Sequence, residues 1–332
     1  METKSKKMKK DLYICYTPLQ VVIAKKIIQS KIDKNIKPDF VLIPLAATDR
    51  FKYYFQSMSE LCDEKIYLNE LRTKRFPLYV LYLARIFRNR EYRCVYFANI
   101  DSAQIQLILS FIKFNEINTF DDGTANISKN GIYYKDKPSW GVRLRRIARK
   151  IIGNRYSTEK IKKLSSKHYT IYPGFKNIID NLVPIDLFSD KNAQRIPIRN
   201  NKKCVVLLGT IYNQALKNNK NKELLLSLIQ KLINKLKADT IYYLPHPVDE
   251  ADYFQGVTKY KSHKIAEEII IELTQQYERI DLIGFANSTQ FYLMNVEGIR
   301  NFAIKSELLD NDRHDLAREL IKNNAKVIEI DD

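Results

Sequence analysis

The feature that most constrains this chain is an alternation that recurs in both of its halves. Short β-branched or aromatic runs are separated by longer amphipathic stretches. The runs predict strands over 12–16, 40–45, 94–98 and 118–121, then over 204–208, 240–245, 280–285, 301–304 and 326–330. Between them the helical period predicts helices over 19–30, 48–61, 102–114, 221–236, 265–277 and 308–323. Strands that alternate with helices pair in parallel, because a helix is the usual connection long enough to carry the chain back to the start of the next strand. The expected fold class is therefore α/β, with two doubly wound, Rossmann-like domains built on parallel sheets. At 332 residues the chain has room for both. The polar, proline-marked stretch 182–203 is the expected linker, dividing the chain into domains 1–190 and 191–332. Open α/β sheets bind ligands outside the carboxyl ends of their strands, so a cleft at those ends is where chemistry is expected.

Charge and composition narrow the partners. Fifty-six Lys and Arg against 38 Asp and Glu leave a net charge of +18, which favours a polyanion: nucleic acid, an acidic leaflet, a phosphorylated glycolipid or a nucleotide. Nucleic acid is disfavoured, because the aromatics fall in strands and helix faces with no pattern of an RNA- or DNA-reading motif. The nine glycines never stand in dinucleotide or P-loop spacing. Cys15, Cys62, Cys94 and Cys204 are widely separated and form no CxxC, so they read as reduced core residues of a cytoplasmic protein. No cluster has metal-ligand spacing, and neither a metal nor another cofactor is expected. The longest apolar window, 76–87, is broken by Arg85 and too short to span a bilayer.

The basic excess is uneven. Ten Lys and Arg between Gly141 and Lys167 face a single acid, Glu159. Trp140, Leu144, Ile147, Ile151 and Ile152 approximate helical spacing beside Arg143, Arg145, Arg146 and Arg149. Two readings stay open: a solvated helix with its stripe on the core, or an interfacial helix on an anionic leaflet.

Four strand ends carry candidate chemistry. TFDDGTANI (119–127) delivers Asp121 and Asp122 to a rim, with Gly123 permitting a sharp turn; an ordinary Asp-Gly turn is the plainer alternative. His246, held between Pro245 and Pro247, can bind a phosphate oxygen or give up a proton, or be structural. The other three histidines, His168, His263 and His314, sit in polar sequence and are expected to be exposed. Asn287, Ser288 and Thr289 can cap a helix or hold a phosphate at its start. Gly209 and Thr210 end the first strand of the second half, where a ligand can approach the backbone closely.

Taken in order, CYTPLQ (15–20), TFDDGTAN (119–126), KHYTIYPGFKNIID (167–180), VVLLG (205–209), YLPHP (243–247), IAEEI (265–269) and GFANST (284–289) resemble the bacterial lipooligosaccharide sialyltransferases of glycosyltransferase family 52. The likeness runs from Cys15 nearly to the C-terminus. It implies a GT-B-like pair of domains and metal-independent, inverting transfer of sialic acid from CMP-sialic acid to a terminal galactose, with an α-2,3 linkage expected. It also implies a homodimer, working at the inner face of the bacterial inner membrane. Carried onto this sequence, His246 would bind the CMP phosphate and assist its departure, supported by Pro247. Asn287 or Ser288 would hold the same phosphate, with Thr289 contributing. Glu267 or Glu268 would face the cytidine, Gly209 and Thr210 would line the nucleotide cleft, and Thr17 and Gln20 would meet the sugar. Tyr212 stands where the family pattern has an acid proposed as base. The expected base is therefore Asp122, then Asp121, and the departure leaves room for a different nucleotide-sugar donor or linkage.

Overall fold

A computed structural model describes residues 9–31, 36–68, 78–129, 131, 133–134, 147, 150–188, 201–249 and 251–331. The chain divides into two compact units, Met1–Leu187 and Phe188–Asp332.

In the first unit the strands are β1 (Leu12–Cys15), β2 (Asp39–Leu42), β3 (Lys65–Tyr67), β4 (Glu91–Phe97), β5 (Lys113–Phe120), β6 (Ser165–Thr170) and β7 (Leu182–Pro184). All pair in parallel in the order β3-β2-β1-β4-β5-β6-β7. The helices are α1 (Pro18–Ser30), α2 (Asp49–Gln56), α3 (Leu78–Phe87), α4 (Ala103–Phe111) and α5 (Thr158–Leu164). Side chains alternate along a strand, which decides what each face buries. Leu12, Ile14, Val41, Val95, Phe97 and Ile117 pack in one cluster with Leu83 and Phe87 of α3 and Ile105 and Ile108 of α4. On the other face Tyr13 stacks on Tyr96 at 4.5 Å, and Phe40 meets Phe55 of α2. Both faces of the sheet are covered, as a parallel sheet requires. Strand order reverses between β1 and β4, which puts the switch point at the loops after those two strands.

The second unit repeats the plan with six parallel strands in the order β10-β9-β8-β11-β12-β13. They are β8 (Lys203–Leu208), β9 (Ile241–Leu244), β10 (Thr258–Lys259), β11 (Arg279–Gly284), β12 (Ile299–Lys305) and β13 (Lys326–Glu329). Its helices are α6 (Tyr212–Ala215), α7 (Lys222–Lys235), α8 (Ala266–Leu273), α9 (Ser288–Tyr292) and α10 (Asn311–Lys322). The reversal falls between β8 and β11.

The expected elements lacked the short β3, β7, β10, α5 and α6, with β7 falling inside the expected linker, and three further departures have a clear physical reason. The helix expected to run to residue 114 stops at Phe111, and β5 already begins at Lys113. Phe111, Ile112 and Phe114 continue an apolar pattern that either period fits, and pairing with β4 decides it. The apolar window 76–87 contains α3, which the expected elements lacked. β6, with the polar sequence SSKHYT, was also absent, because its inward side chains are polar and leave no apolar alternation to read. All four cysteines are buried and free.

Candidate active site

The DDG turn sits at the carboxyl end of β5, one strand from the first unit's switch point. The β5–β6 pairing shifts register between Ile117 and Asn118, just upstream of the acids. Such an irregularity re-aims the residues that follow. Gly123 takes φ +55°, a left-handed conformation that costs other residues free energy, so the turn needs glycine there.

The two adjacent carboxylates have different surroundings. Asp121 is fully buried and accepts four hydrogen bonds. His168 Nε2 (2.8 Å) and Asn177 Nδ2 (3.0 Å) donate to its Oδ1, while Thr170 Oγ1 and the Ile171 amide (both 2.7 Å) donate to Oδ2. A carboxylate has about four acceptor positions, and here all are filled. The other ring nitrogen of His168 meets Thr119 Oγ1 at 2.8 Å. Two expectations are corrected by this. His168 is buried inside the sheet, because it and Thr170 face Asp121 while Ser166 and Lys167 stay exposed. Asp121 has no acceptor position left for a substrate proton and acts as the knot tying β5 to β6 and the segment around Asn177.

Asp122 is only half-buried. Gln20 Nε2 donates to its Oδ1 at 2.7 Å, and Asn99 Nδ2 (2.5 Å) and Tyr133 Oη (2.9 Å) donate to its Oδ2. Three donors leave one acceptor position, on Oδ1. Burial pushes its carboxyl up to about 6, partly opposed by the bonds from Tyr133 and Gln20, with the charges of Asp101 and Asp121 adding to the rise. A carboxylate tuned toward neutral pH is a better proton acceptor for a hydroxyl than one near 4.

Gln20 is wholly buried. Its Oε1 accepts from the Tyr16 amide at 2.7 Å and its Nε2 spans Asn99 and Asp122, so the side chain expected at the sugar is bonded to the acid and holds it in place. Thr17 is the N-cap of α1, accepting from the Gln20 amide, with Pro18 starting the helix. It is half-buried at the end of β1. Asn99, Tyr133, His168, Thr170 and Asn177 were not among the candidate residues. Asn99 follows a strand next to the reversal, a signal the strand order supplies. Tyr133 carries none.

In the second unit Gly209, after β8, accepts no side chain: a Cβ would lie 2.9 Å from the His246 amide nitrogen and 3.0 Å from Pro245 Cα. Its amide donates to the Leu244 carbonyl at 2.8 Å. The ends of β8 and β9 are thus pressed together, and His246 leaves β9 directly beside Gly209. Thr210 is buried next to it. His246 is half-buried; the Val248 amide donates to its Nδ1 at 3.2 Å, so the ring proton of the neutral imidazole lies on Nε2. The Asp249 amide closes the turn over Pro247 onto the His246 carbonyl.

After β11 the chain passes through Ala286, buried at φ +52°, strained for a residue with a Cβ. Asn287 then caps α9 in a reciprocal box with Gln290. Thr289 donates its hydroxyl to Glu267 Oε1 at 2.9 Å, and burial raises the Glu267 carboxyl. Glu267 and Thr289, expected to face a ligand separately, bond each other across α8 and α9. Of the expected pairs, Ser288 and Glu268 remain half-buried. Tyr212 is core: its ring packs edge-on against Tyr253, Phe254 and Phe285, and burial raises its hydroxyl far above the ordinary tyrosine range. Among the described residues no three His, Cys, Asp or Glu side chains gather as a metal site.

Arg143, Arg145, Arg146, Arg149, Trp140 and Leu144 lie outside the described residues. Ile147 and Ile151 are exposed, whereas Ile152 packs on the core.

Two Rossmann-like units with polar side chains gathered at the carboxyl ends of their parallel strands define a GT-B-like α/β enzyme. The chain belongs to glycosyltransferase family 52, whose family model matches residues 39–308. It is 32% identical over 324 residues, 96% of this chain and 99% of the relative, to the CMP-N-acetylneuraminate:beta-galactoside alpha-2,3-sialyltransferase of Pasteurella multocida. It is 29% identical to the N-acetyllactosaminide alpha-2,3-sialyltransferase of Haemophilus influenzae, covering 86% of this chain and 88% of the relative. A UDP-GlcNAc 2-epimerase from Neisseria meningitidis is similar in structure with a TM-score of 0.45 at 11% identity, over 94% of this chain and 90% of the other.

Proposed function

We propose that the protein is a CMP-sialic acid:β-galactoside α-2,3-sialyltransferase that inverts the anomeric centre and needs no metal. The Pasteurella and Haemophilus relatives support the donor and linkage. The observation that carries the chemistry is Asp122: a tuned carboxylate, fixed by three donors, with one acceptor position left. In this reading it takes the proton from the acceptor galactose hydroxyl. The oxygen forms its bond to C2 of the sialyl group from the side opposite CMP. The C2–O bond to phosphate breaks, and CMP leaves with the electron pair. His246 donates from Nε2 to the phosphate as its charge grows, a stabilisation realised in the transition state. Ser288 adds a hydroxyl to the phosphate site, and Glu268, half-buried while Glu267 is bonded to Thr289, faces the cytidine.

Incubation with CMP-sialic acid and a lactose-type acceptor, with and without EDTA, tests this reading. The expected result is an α-2,3 product formed equally in both. Turnover of a UDP-sugar without transfer from CMP-sialic acid would overturn it, and Tyr212 in place of an acid is the feature that would then point to a different donor.

The acceptor in this reading is a membrane-held, phosphorylated lipooligosaccharide, met by a homodimer working on the cytoplasmic side of the inner membrane. No helix among the described residues is long and apolar enough to cross a membrane. Support for peripheral contact comes from Ile147 and Ile151 in the basic segment. Leu78, Leu81 and Tyr82 also stand outward on α3 beside exposed Arg85 and Arg88. Flotation with anionic vesicles, and sedimentation for the dimer, test these parts.

A further inference from the structure

The second unit's switch point has a cation that neither the motifs nor the comparisons single out. Arg313 lies in the first turn of α10, whose N-cap Asp310 accepts from the Arg313 amide at 2.8 Å. That helix start is stitched to the segment after β8. The Asp310 amide donates to the Ala215 carbonyl at 2.9 Å, the Lys217 amide to the Leu308 carbonyl at 3.0 Å, and Leu216 bridges Leu309. From this anchored base the side chain reaches β11. Its Nη1 donates at 3.4 Å to the carbonyl of Phe285, the residue before strained Ala286 and two before Asn287. The guanidinium therefore stands where the chain turns from β11 into α9, at the end of the sheet where the adjacent strand β8 leads to Gly209 and β9, one strand further, leads to His246.

This guanidinium is under-partnered for its surroundings. It has five N–H donors, and its one hydrogen bond to a described residue is that long contact with a neutral carbonyl. No described carboxylate comes within ion-pair distance of it. Asp310 and Asp312 act on it only through space, and burial makes its positive charge more costly than that of an exposed arginine. Elsewhere in the molecule arginines with similar freedom are forked onto acids: Arg93 on Asp11, Arg300 on Asp281, Arg90 on Glu64. A half-buried cation without an acid, placed at a strand end, is suited to a bound oxyanion, which a planar fork engages in two parallel hydrogen bonds.

We propose that Arg313 recognises the donor, its guanidinium binding the phosphate or carboxylate oxygens of the nucleotide sugar at the carboxyl end of β11. The chemistry required is an oxyanion, and the identity of the donor rests on the sialyltransferase reading above. A merely structural role, clamping the Phe285 carbonyl, would alter thermal stability without altering which ligands bind.

The test uses the full chain and the variants Arg313→Met and Arg313→Lys, the second keeping the charge and stem if the first fails to fold. Calorimetric titration with CMP and with cytidine is combined with KM and kcat for CMP-sialic acid. If Arg313 holds the phosphate, Arg313→Met weakens CMP about tenfold or more and leaves cytidine unchanged. If it holds the carboxylate, CMP binding is unchanged and KM for CMP-sialic acid rises by a similar factor. Arg313→Lys falls between wild type and Met in either case, because a point charge replaces a fork. The proposal is overturned if CMP affinity and donor KM both stay within twofold of wild type. It is equally overturned if CMP and cytidine weaken in the same proportion, which marks loss of site shape alone. Failure of wild-type protein to bind CMP and to use CMP-sialic acid would instead remove the sialyltransferase reading, so the two failures are distinct.

Discussion

The switch points of the two units are built by different means. In the first, polar side chains converge on two carboxylates: Asp121 is saturated by His168, Thr170, Asn177 and a backbone amide, and Asp122 is steered by Gln20, Asn99 and Tyr133. In the second, backbone shape predominates. Gly209 lets β8 and β9 close on each other, prolines flank His246, and a left-handed Ala286 sets the start of α9. The difference follows from the task proposed for each. A general base must be aimed and tuned, which takes donors at fixed angles to its oxygens. A phosphate is large and strongly charged, and amides, hydroxyls and one or two cations on a rigid turn suffice for it.

The sharpest way to break this comparison is to make the same change at both acids. Asp121→Asn presents an amide to donors that need an acceptor, and is expected to destabilise the fold by about 2–5 kcal/mol, seen as a fall in Tm. Asp122→Asn is expected to leave Tm nearly unchanged while kcat falls about 100-fold or more. Full activity in Asp122→Asn would undo the assignment of the base.

On the backbone-built side, His246→Ala is expected to lower kcat about 100-fold with little change in stability, since the residue is half-buried on a turn that backbone hydrogen bonding closes. Gly209→Ala comes next. A Cβ there collides with backbone atoms that cannot rotate away, so a loss of about 1–3 kcal/mol in stability is expected, together with weaker CMP binding. Normal stability in this variant would show that the two strand ends can separate.

The smallest effect concerns pH. Asp122 must be ionised to act as base, so activity should rise with pH through about 6. Tyr133→Phe removes a donor that favours the ionised form, and the rising limb should move to higher pH with the plateau little changed. The stability effect has the opposite sense. A carboxyl raised in the folded state contributes stability that is present below its unfolded value, near 3.8, and is lost as pH rises through about 6. Asp122→Asn should therefore flatten the fall in Tm across that window.

Much of the fold was legible because its signals are local. Runs such as LYIC and KCVVLL are apolar on both faces, as strands buried on both sides must be, and Thr17, Ser102 and Asp310 mark helix starts with capping side chains. β6 was not legible, because the burial of its His168 and Thr170 depends on a carboxylate 47 residues before the histidine in the chain. The same distance hid the role of His168, whose neighbours in sequence are polar while its neighbours in space are Asp121 and Thr119.

By itself, then, the sequence determined the alternating α/β plan, the membership in a glycosyltransferase family and the short motifs at the strand ends, since each is written in residues close together along the chain. Only the tertiary structure decided which of two adjacent acids has an acceptor position left, that Gln20 holds an acid, that Glu267 and Thr289 bond each other, and that Arg313 stands beside the turn after β11. Those distinctions depend on hydrogen bonds between residues 11 to more than 100 positions apart, and on how many of them each oxygen receives. No local pattern records that number.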